Sequence, residues 1–175
     1  MSQEIIHTLK RLAERGSIEL ADWHERKVRT MLLRSIEMKY CVELSQNATD
    51  LLINVYQSLY KSVFFYSPTE LLDGECGIAE LIQIGSLPIA VDAFGNKLAV
   101  DLENRFALIE PVIFYDAYGS ISDPYIFSSD IFHCFQRIDA MEAGQDAQFF
   151  EPMFLQVHDP KIFNSRGVRI ATNDA

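Results

Sequence analysis

The side chains with the most versatile chemistry in this sequence of 175 residues are four histidines and three cysteines. Only His133 and Cys134 are adjacent, an arrangement that would suit a thiol nucleophile and its base. Neighbouring residues of a helix point about 100° apart, so these two side chains do not face each other, and the sequence marks no other base. Asp130 shares a helical face with His133, but two ligands are too few for zinc. We predict no catalytic residue, no metal site and no cofactor.

Carboxylates in the second half of the chain offer a second chemistry, either general acid–base catalysis or the binding of a hard cation. The candidates are Asp92, Asp101, Glu103, Asp116, Asp123 and Asp130. No spacing among them matches a calcium-binding loop. The sequence also has neither a phosphate-binding glycine loop nor the Gly-x-Ser-x-Gly motif of a nucleophilic serine. A small carboxylate- or metal-dependent hydrolase is therefore the least favoured alternative, and we predict that the protein is not an enzyme.

Tyrosines and aspartates are interleaved around Gly119, and this pattern favours protein binding. The residues concerned are Tyr115, Asp116, Tyr118, Asp123 and Tyr125. Tyrosine beside carboxylates suits an exposed surface that captures Lys and Arg side chains of a partner. We predict that these five residues, together with Asp92 and Asp101, bind a partner protein. The alternative is that the tyrosines are ordinary strand residues and the aspartates form turns.

The charge is distributed unevenly along the chain. The net charge is −10, but residues 1–40 carry eight basic and six acidic side chains, and residues 161–175 are also mildly basic. Residues 41–160 contain four basic and eighteen acidic side chains, a net charge of −14. The negative potential of this segment attracts basic proteins and repels nucleic acid. We therefore expect a basic protein partner and no nucleic acid. The alternative is a solvated surface that only keeps the protein soluble.

Length and composition indicate one domain with a filled core. The chain is 49% apolar, and 175 residues suit a single unit of ordinary size. No apolar run approaches the roughly 20 residues of a membrane-spanning helix, and the first residues lack a signal peptide pattern, so we expect a cytoplasmic protein with no membrane partner. Within the one domain we distinguish an N-terminal helical segment (1–40), a core (41–140) and a C-terminal extension (141–175).

Helical periodicity dominates the first half of the chain. Apolar residues from Ile5 to Ala13 predict a first helix that starts at Ser2 and ends at Gly16. A second helix is expected over residues 19–40, with a buried stripe made of Leu20, Trp23, Met31, Leu32 and Ile36. A third should start at Ser45 or Asn47 and keep one apolar face through Leu59. Residues 67–70, Ser-Pro-Thr-Glu, form a capping box for a fourth helix.

Short strands are predicted after Gly77. They lie at residues 81–84, 98–102, 111–115 and 125–127, and the first three are separated by turn-forming residues. Asp-Ala-Phe-Gly-Asn at 92–96, between the apolar runs 89–91 and 98–100, predicts a hairpin with Gly95 or Asn96 at positive φ. A helix capped by Ser128 or Ser129 should follow. The order predicts an α+β fold, in which an antiparallel sheet of about four or more strands carries helices on one face.

Several of these segments together resemble the SUKH superfamily, which includes a cell-wall-assembly regulator and many bacterial immunity proteins. The matching segments are Ile-Gln-Ile-Gly (82–85), the hairpin from Pro88 to Leu102, Val-Ile-Phe-Tyr-Asp (112–116) and the segment 126–132 followed by Phe135. The resemblance covers about residues 81–138, and 51–72 fits the family's front half. The chain departs from the family pattern in two ways: Glu43-Leu44-Ser45 replaces the usual Leu-Pro before the front helix, and no Asn-Gly-Gly follows it.

The resemblance implies an α+β binding domain without catalytic residues. Many members of the superfamily neutralise a cognate toxin by binding it directly, so we expect an immunity-type protein whose acidic surface binds a basic toxin, with a nuclease as one candidate. Among the predicted site residues only Asp92, Asp101 and Asp116 lie in the matching motifs. The alternative is a regulatory or scaffold module of the same fold that binds an endogenous protein through the N-terminal helices or the segment from Phe149 to Leu155.

Overall fold

The computed structural model describes residues 3–74, 77–143 and 152–170, and their fold is α+β as predicted. The first helix, α1 (Gln3–Glu14), buries Ile5, Leu9 and Leu12 and is followed by Gly16 at φ 74°. Its predicted cap, Ser2, lies outside the described residues. Within the described ranges, none of the helices combines the length and the apolar character needed to cross a bilayer.

The second predicted helix is shorter than expected and buries a different face. Residues Ile18–Leu20 form strand β1, and α2 spans Trp23–Tyr40 behind an Asp22 cap. The prediction that Leu20, Trp23 and Met31 are buried is wrong, since they are 40%, 63% and 64% exposed. The buried face instead carries Arg29, Leu33 and Ile36. The helix has this orientation because Arg29 must face inward for its Nη1 atom to donate to the carbonyl oxygens of Leu52 and Val55.

The third helix, α3 (Gln46–Asn54), starts at Ser45 as predicted but ends earlier than its apolar face suggests. Val55–Ser58 forms β2 and pairs with β1 in an antiparallel two-stranded sheet. In this pairing the backbone N–H and C=O groups of each strand find hydrogen-bond partners on the other strand. The capping box is confirmed: Ser67 and Glu70 exchange the expected hydrogen bonds at the start of α4 (Pro68–Asp73).

The predicted strand at residues 81–84 is wrong, because Ile78–Gln83 forms the short helix α5. Adjacent Leu81 and Ile82 are both buried, yet they belong to separate apolar clusters. A helix presents such neighbours about 100° apart, so one turn contributes to two clusters. Gly85, at φ 76°, then leads the chain into the sheet.

The main sheet has six strands in the order β3-β4-β5-β6-β7-β8. The strands are β3 (Val63–Phe65), β4 (Ser86–Asp92), β5 (Lys97–Asp101), β6 (Val112–Tyr115), β7 (Tyr125–Ser128) and β8 (Arg169–Ile170). Strands β3 to β7 pair antiparallel with their neighbours, which confirms the predicted meander, and β8 is added parallel to β7. Gly95 has φ 88° in the predicted hairpin turn.

Helices follow the sheet at its C-terminal end. Asp130, and not Ser128 or Ser129, caps α6 (Ile131–Glu142), because its carboxylate accepts from the His133 backbone N–H. The chain continues in α7 (Pro152–His158) and a 3₁₀ helix (Pro160–Asn164).

Two apolar clusters lie on opposite faces of the main sheet. Leu98 and Val100 belong to the larger cluster, which includes buried residues of α1 to α6, whereas the intervening Ala99 belongs to the smaller one. Alternating side chains of a strand point to opposite faces, so both faces are covered. Leu155 and Ile162, both fully buried, cover the second face.

Candidate protein-binding surface

The two turns at one end of the main sheet are held in shape by aspartates. In the β4–β5 turn, Asp92 Oδ1 accepts from the backbone N–H groups of Phe94 (2.8 Å) and Asn96 (2.9 Å). In the β6–β7 connection, Asp116 Oδ1 accepts from the Tyr118 N–H at 2.8 Å. These local bonds are the ones that Asp favours in turns. The turn-forming role considered in the sequence therefore applies to both aspartates.

A direct hydrogen bond joins the two turns. The backbone N–H of Ala117 donates to Asn96 Oδ1 at 2.9 Å. Two large side chains next to this junction point into solvent: Phe94 is 78% exposed and Tyr118 94%. Together with the exposed carboxylate of Asp116 they form an apolar and acidic patch, which we call the turn surface.

Two of the predicted binding residues are buried, which corrects the expectation that they face a partner. Asp101 is fully buried, and its carboxylate accepts from Arg105 Nε at 2.8 Å and from the Arg105 backbone N–H at 2.7 Å. Tyr115 is 4% exposed, and its hydroxyl lies 2.7 Å from Ser86 Oγ, which also accepts from Arg105 Nη2. These four side chains form a polar network, in which Arg105 is partly exposed and the other three are buried, and it holds the loop after β5 against the sheet.

The last two predicted residues already hold a basic side chain of the same chain. Arg169 of β8 forms an ion pair with Asp123, and its guanidinium carbon lies 4.4 Å from the centre of the Tyr125 ring. This combines an ion pair with a cation–π contact. Asp123 and Tyr125 thus make, within the chain, the type of contact that the sequence predicts with a partner. Nothing in the sequence separates this intramolecular contact from an intermolecular one.

Much of the negative charge of residues 41–160 is engaged inside the fold. Asp50, Asp101 and Asp159 are buried. Asp139 accepts from the Tyr60 hydroxyl at 2.7 Å, and Glu142 Oε1 accepts from the Ser62 backbone N–H at 2.9 Å. These five of the described acidic side chains are therefore engaged within the chain, and Asp116 is the carboxylate that lies closest in sequence to the exposed Tyr118.

The His133 and Cys134 pair does not form a nucleophilic site. Burial raises the pKa of the Cys134 thiol to about 12, so the thiolate is scarcely populated at neutral pH. His133 Nδ1 lies 2.8 Å from Asp130 Oδ1 and 3.4 Å from Ser129 Oγ. A serine–histidine–aspartate relay uses both ring nitrogens, whereas here one nitrogen serves both partners.

Asp159, beside His133, fastens the C-terminal segment to the start of α6. Asp159 is buried; its Oδ2 accepts from the Ser129 N–H at 2.8 Å, and its Oδ1 lies 3.9 Å from His133 Nδ1. The neighbouring cleft, of about 700 Å³, is lined by residues that include Asp130, His133 and Lys161. Among the described residues, no group of three or more His, Cys, Asp or Glu side chains is arranged to hold a metal ion.

The segment suggested as an alternative docking element is only partly described. Phe149 and Phe150 lie outside the described residues. Met153 is 76% exposed and Leu155 is fully buried in the smaller apolar cluster. The described part of this segment therefore packs against the sheet through Leu155.

Comparison with known proteins found no matching family model, no matching curated protein and no matching solved structure. The resemblance to the SUKH superfamily therefore stays a prediction.

Proposed function

We propose that this protein is a non-enzymatic binding domain that attaches to a basic partner protein through its turn surface. The observation that carries the proposal is the pair of exposed aromatic side chains, Phe94 and Tyr118, beside the carboxylate of Asp116. Isolated exposed apolar residues are common on proteins, but two aromatic rings on turns linked by a hydrogen bond are typical anchors of an interface.

The rigidity of the two turns supports this proposal. Asp92, Asn96 and Asp116 fix the backbone on either side of the exposed rings. A surface that is already ordered loses less conformational entropy when it binds, so more of the contact energy contributes to affinity. The bonds of Asp92 and Asp116 therefore favour binding even though these carboxylates also have a structural role.

The kind of partner follows from the charge and the side chains at the surface. Tyr118 and Phe94 offer ring faces to cations, and Asp116 offers a carboxylate. The contact of Arg169 with Asp123 and Tyr125 is an example of the same chemistry within the chain. We propose a partner that presents Arg or Lys, such as a basic toxin domain neutralised by an immunity-type protein. A regulatory or scaffold module that binds an endogenous basic protein is the second candidate.

The experiment combines a defined partner with matched variants. The product of the adjacent gene is purified, and its binding is measured by calorimetry against the wild type, Tyr118→Ala, Asp116→Lys and Glu43→Lys. Truncation of an anchoring Tyr typically costs about 2 kcal/mol, so we expect about 30-fold weaker binding for Tyr118→Ala. Asp116→Lys should slow association, and Glu43→Lys, an exposed carboxylate near the start of α3, should bind like the wild type.

A cross-linking measurement covers the case of a partner encoded elsewhere. A photoreactive phenylalanine analogue is placed at position 118 or, as the control, at position 43, and cross-linked proteins are identified in the native host. A basic protein that cross-links only from position 118 supports the proposal. Equal yields from both positions, or unchanged affinity of the identified protein for Tyr118→Ala and Asp116→Lys, would refute it. A toxin gene next to this gene would favour an immunity-type protein, and a location in a housekeeping operon would favour a regulatory or scaffold module.

A further inference from the structure

The outward face of α2 also exposes large apolar side chains. Trp23 is 63% exposed, Met31 64% and Met38 73%. Lys27 and Arg34, also exposed, lie between them at steps of four, four, three and four residues, which places all five side chains on one side of the helix. We call this line of residues the α2 surface.

The α2 surface carries positive charge without exposed negative charge. Its bases are Lys27 and Arg34. Arg26 and Lys39 are also exposed on α2 but lie to the sides of this line, where Arg26 Nε donates to the Asp22 carbonyl oxygen and Lys39 Nζ to the Leu72 carbonyl oxygen. Both acidic residues of α2 are half-buried and engaged within the chain. Glu25 is ion-paired with Arg29 at 3.0 Å, and Glu37 Oε1 accepts from the Leu44 N–H at 3.1 Å.

The types of side chain indicate a protein as the occupant of this surface. Trp, Met and Arg are enriched in protein interfaces. In a helix that lies in a bilayer surface, the apolar residues form one sector and the bases lie to its side. Here Lys27 and Arg34 alternate with Trp23, Met31 and Met38 along one line, so an occupant that supplies both carboxylates and apolar contacts fits better.

We propose that the α2 surface of one copy of this protein binds the turn surface of a second copy. The inference rests on the proposed function, in which the turn surface accepts a basic surface. The occupant is chosen by charge complementarity: the α2 surface carries two exposed bases, Lys27 and Arg34, and the turn surface carries the exposed carboxylate of Asp116. Phe94 and Tyr118 supply the ring faces for Lys27 and Arg34, and Asp116 supplies the carboxylate.

This arrangement is head-to-tail, because two α2 surfaces facing each other would bring bases together. A heterologous contact of this kind forms rings or open chains of molecules. The 18 residues of α2 span about 27 Å, and a helix with its side chains is about 10 Å wide, so one face of α2 covers roughly 270 Å². This is well below the roughly 800 Å² per partner of a stable complex. We therefore expect weak association, with a dissociation constant on the order of 100 µM.

Sedimentation equilibrium tests the proposal with two variants that each remove one half of the contact. Lys27→Glu/Arg34→Glu reverses the charge of the α2 surface. Asp116→Lys/Tyr118→Ser removes the carboxylate and one aromatic ring of the turn surface. The wild type should gain mass with concentration up to about 500 µM, whereas each variant alone should stay monomeric. An equimolar mixture of the two variants retains one intact contact and should form a 1:1 dimer and no larger species.

The controls separate a lost contact from a lost fold. All four substituted positions are exposed, so far-UV circular dichroism should be unchanged. Because Asp116 also holds its turn, Asp116→Asn/Tyr118→Ser, which keeps an Oδ1 acceptor for the backbone N–H of residue 118, should stay monomeric as well. Lys10→Glu, an exposed base on α1, should associate like the wild type. A wild type that stays monomeric, association that survives either variant, or a mixture that stays monomeric would each overturn the proposal. Binding of monomeric wild type to vesicles with about one third phosphatidylserine, lost in Lys27→Glu/Arg34→Glu, would assign α2 to lipid instead.

The same variants distinguish this inference from the proposed function. If the wild type is monomeric but Asp116→Lys/Tyr118→Ser loses an external basic partner, only the self-association fails. If that variant changes neither self-association nor partner binding, the turn surface is not a binding site and both fail.

Discussion

Replacing Asp101 by Asn tests whether this residue stabilises the fold or binds a partner. Its carboxylate is fully buried and accepts two bonds from Arg105, at 2.7 and 2.8 Å. Asn has nearly the same shape but no charge, and one of its two terminal atoms is a donor that faces the donors of Arg105. The substitution therefore leaves a guanidinium group without its counter-charge.

The size of the effect follows from the burial of the two partners. Removing one member of a buried ion pair costs about 3 to 5 kcal/mol of unfolding free energy. The Arg105 side chain is 29% exposed, so water compensates part of this cost. We expect Asp101→Asn to lower the free energy of unfolding by about 2 kcal/mol.

Urea denaturation followed by far-UV circular dichroism measures this loss. The transition midpoint should fall with an unchanged slope, because the surface exposed on unfolding stays the same. Glu103→Gln is the matched control, since Glu103 is an exposed carboxylate two residues away, and should change stability by less than about 0.5 kcal/mol. Equal stability of Asp101→Asn and Glu103→Gln, or partner binding lost by folded Asp101→Asn, would refute the structural role.

The remaining predictions concern titration and reactivity. Burial lowers the pKa of His133, but the hydrogen bond and the charge of Asp130 outweigh this effect and raise the pKa. Protonated His133 therefore stabilises the folded state. This contribution is complete below the pKa of the unfolded chain, about 6.5, and is lost as the pH rises through the pKa of the folded state. Urea denaturation should show that the free energy of unfolding is lower at pH 8.5 than at pH 5.5 by up to about 1 kcal/mol, and that His133→Gln abolishes this difference. A wild type that is equally stable at both pH values would contradict the reasoning. For the thiols, a native-state maleimide pulse with peptide mapping should label exposed Cys41 and leave buried Cys134 unmodified; rapid labelling of Cys134 would contradict its burial and raised pKa.

Features held by bonds between near neighbours in the chain could be predicted from the sequence. The Ser67 and Glu70 capping box and the hairpin turn at 92–96 each close through atoms within four residues. The antiparallel meander also followed, because strands joined by short turns have few other ways to pair. The turn-forming role of Asp92 and Asp116 belongs to the same group.

Features that depend on distant parts of the chain were missed. Periodicity could not show that α2 turns Arg29 inward, since the carbonyl oxygens that receive it lie more than 20 residues away. It also could not show that Asp101 and Tyr115 are buried, because the network that satisfies them joins β4, β6 and the loop after β5.

The sequence by itself therefore determined the class of the fold, its local caps and turns, and the uneven charge of the chain. Only the tertiary structure decided which of these charges and rings face solvent. Arg169 lies 46 residues from Asp123 and reaches it only because β8 pairs with β7. Exposure is set by packing between distant segments, and for that reason the turn surface and the α2 surface emerged from the folded chain.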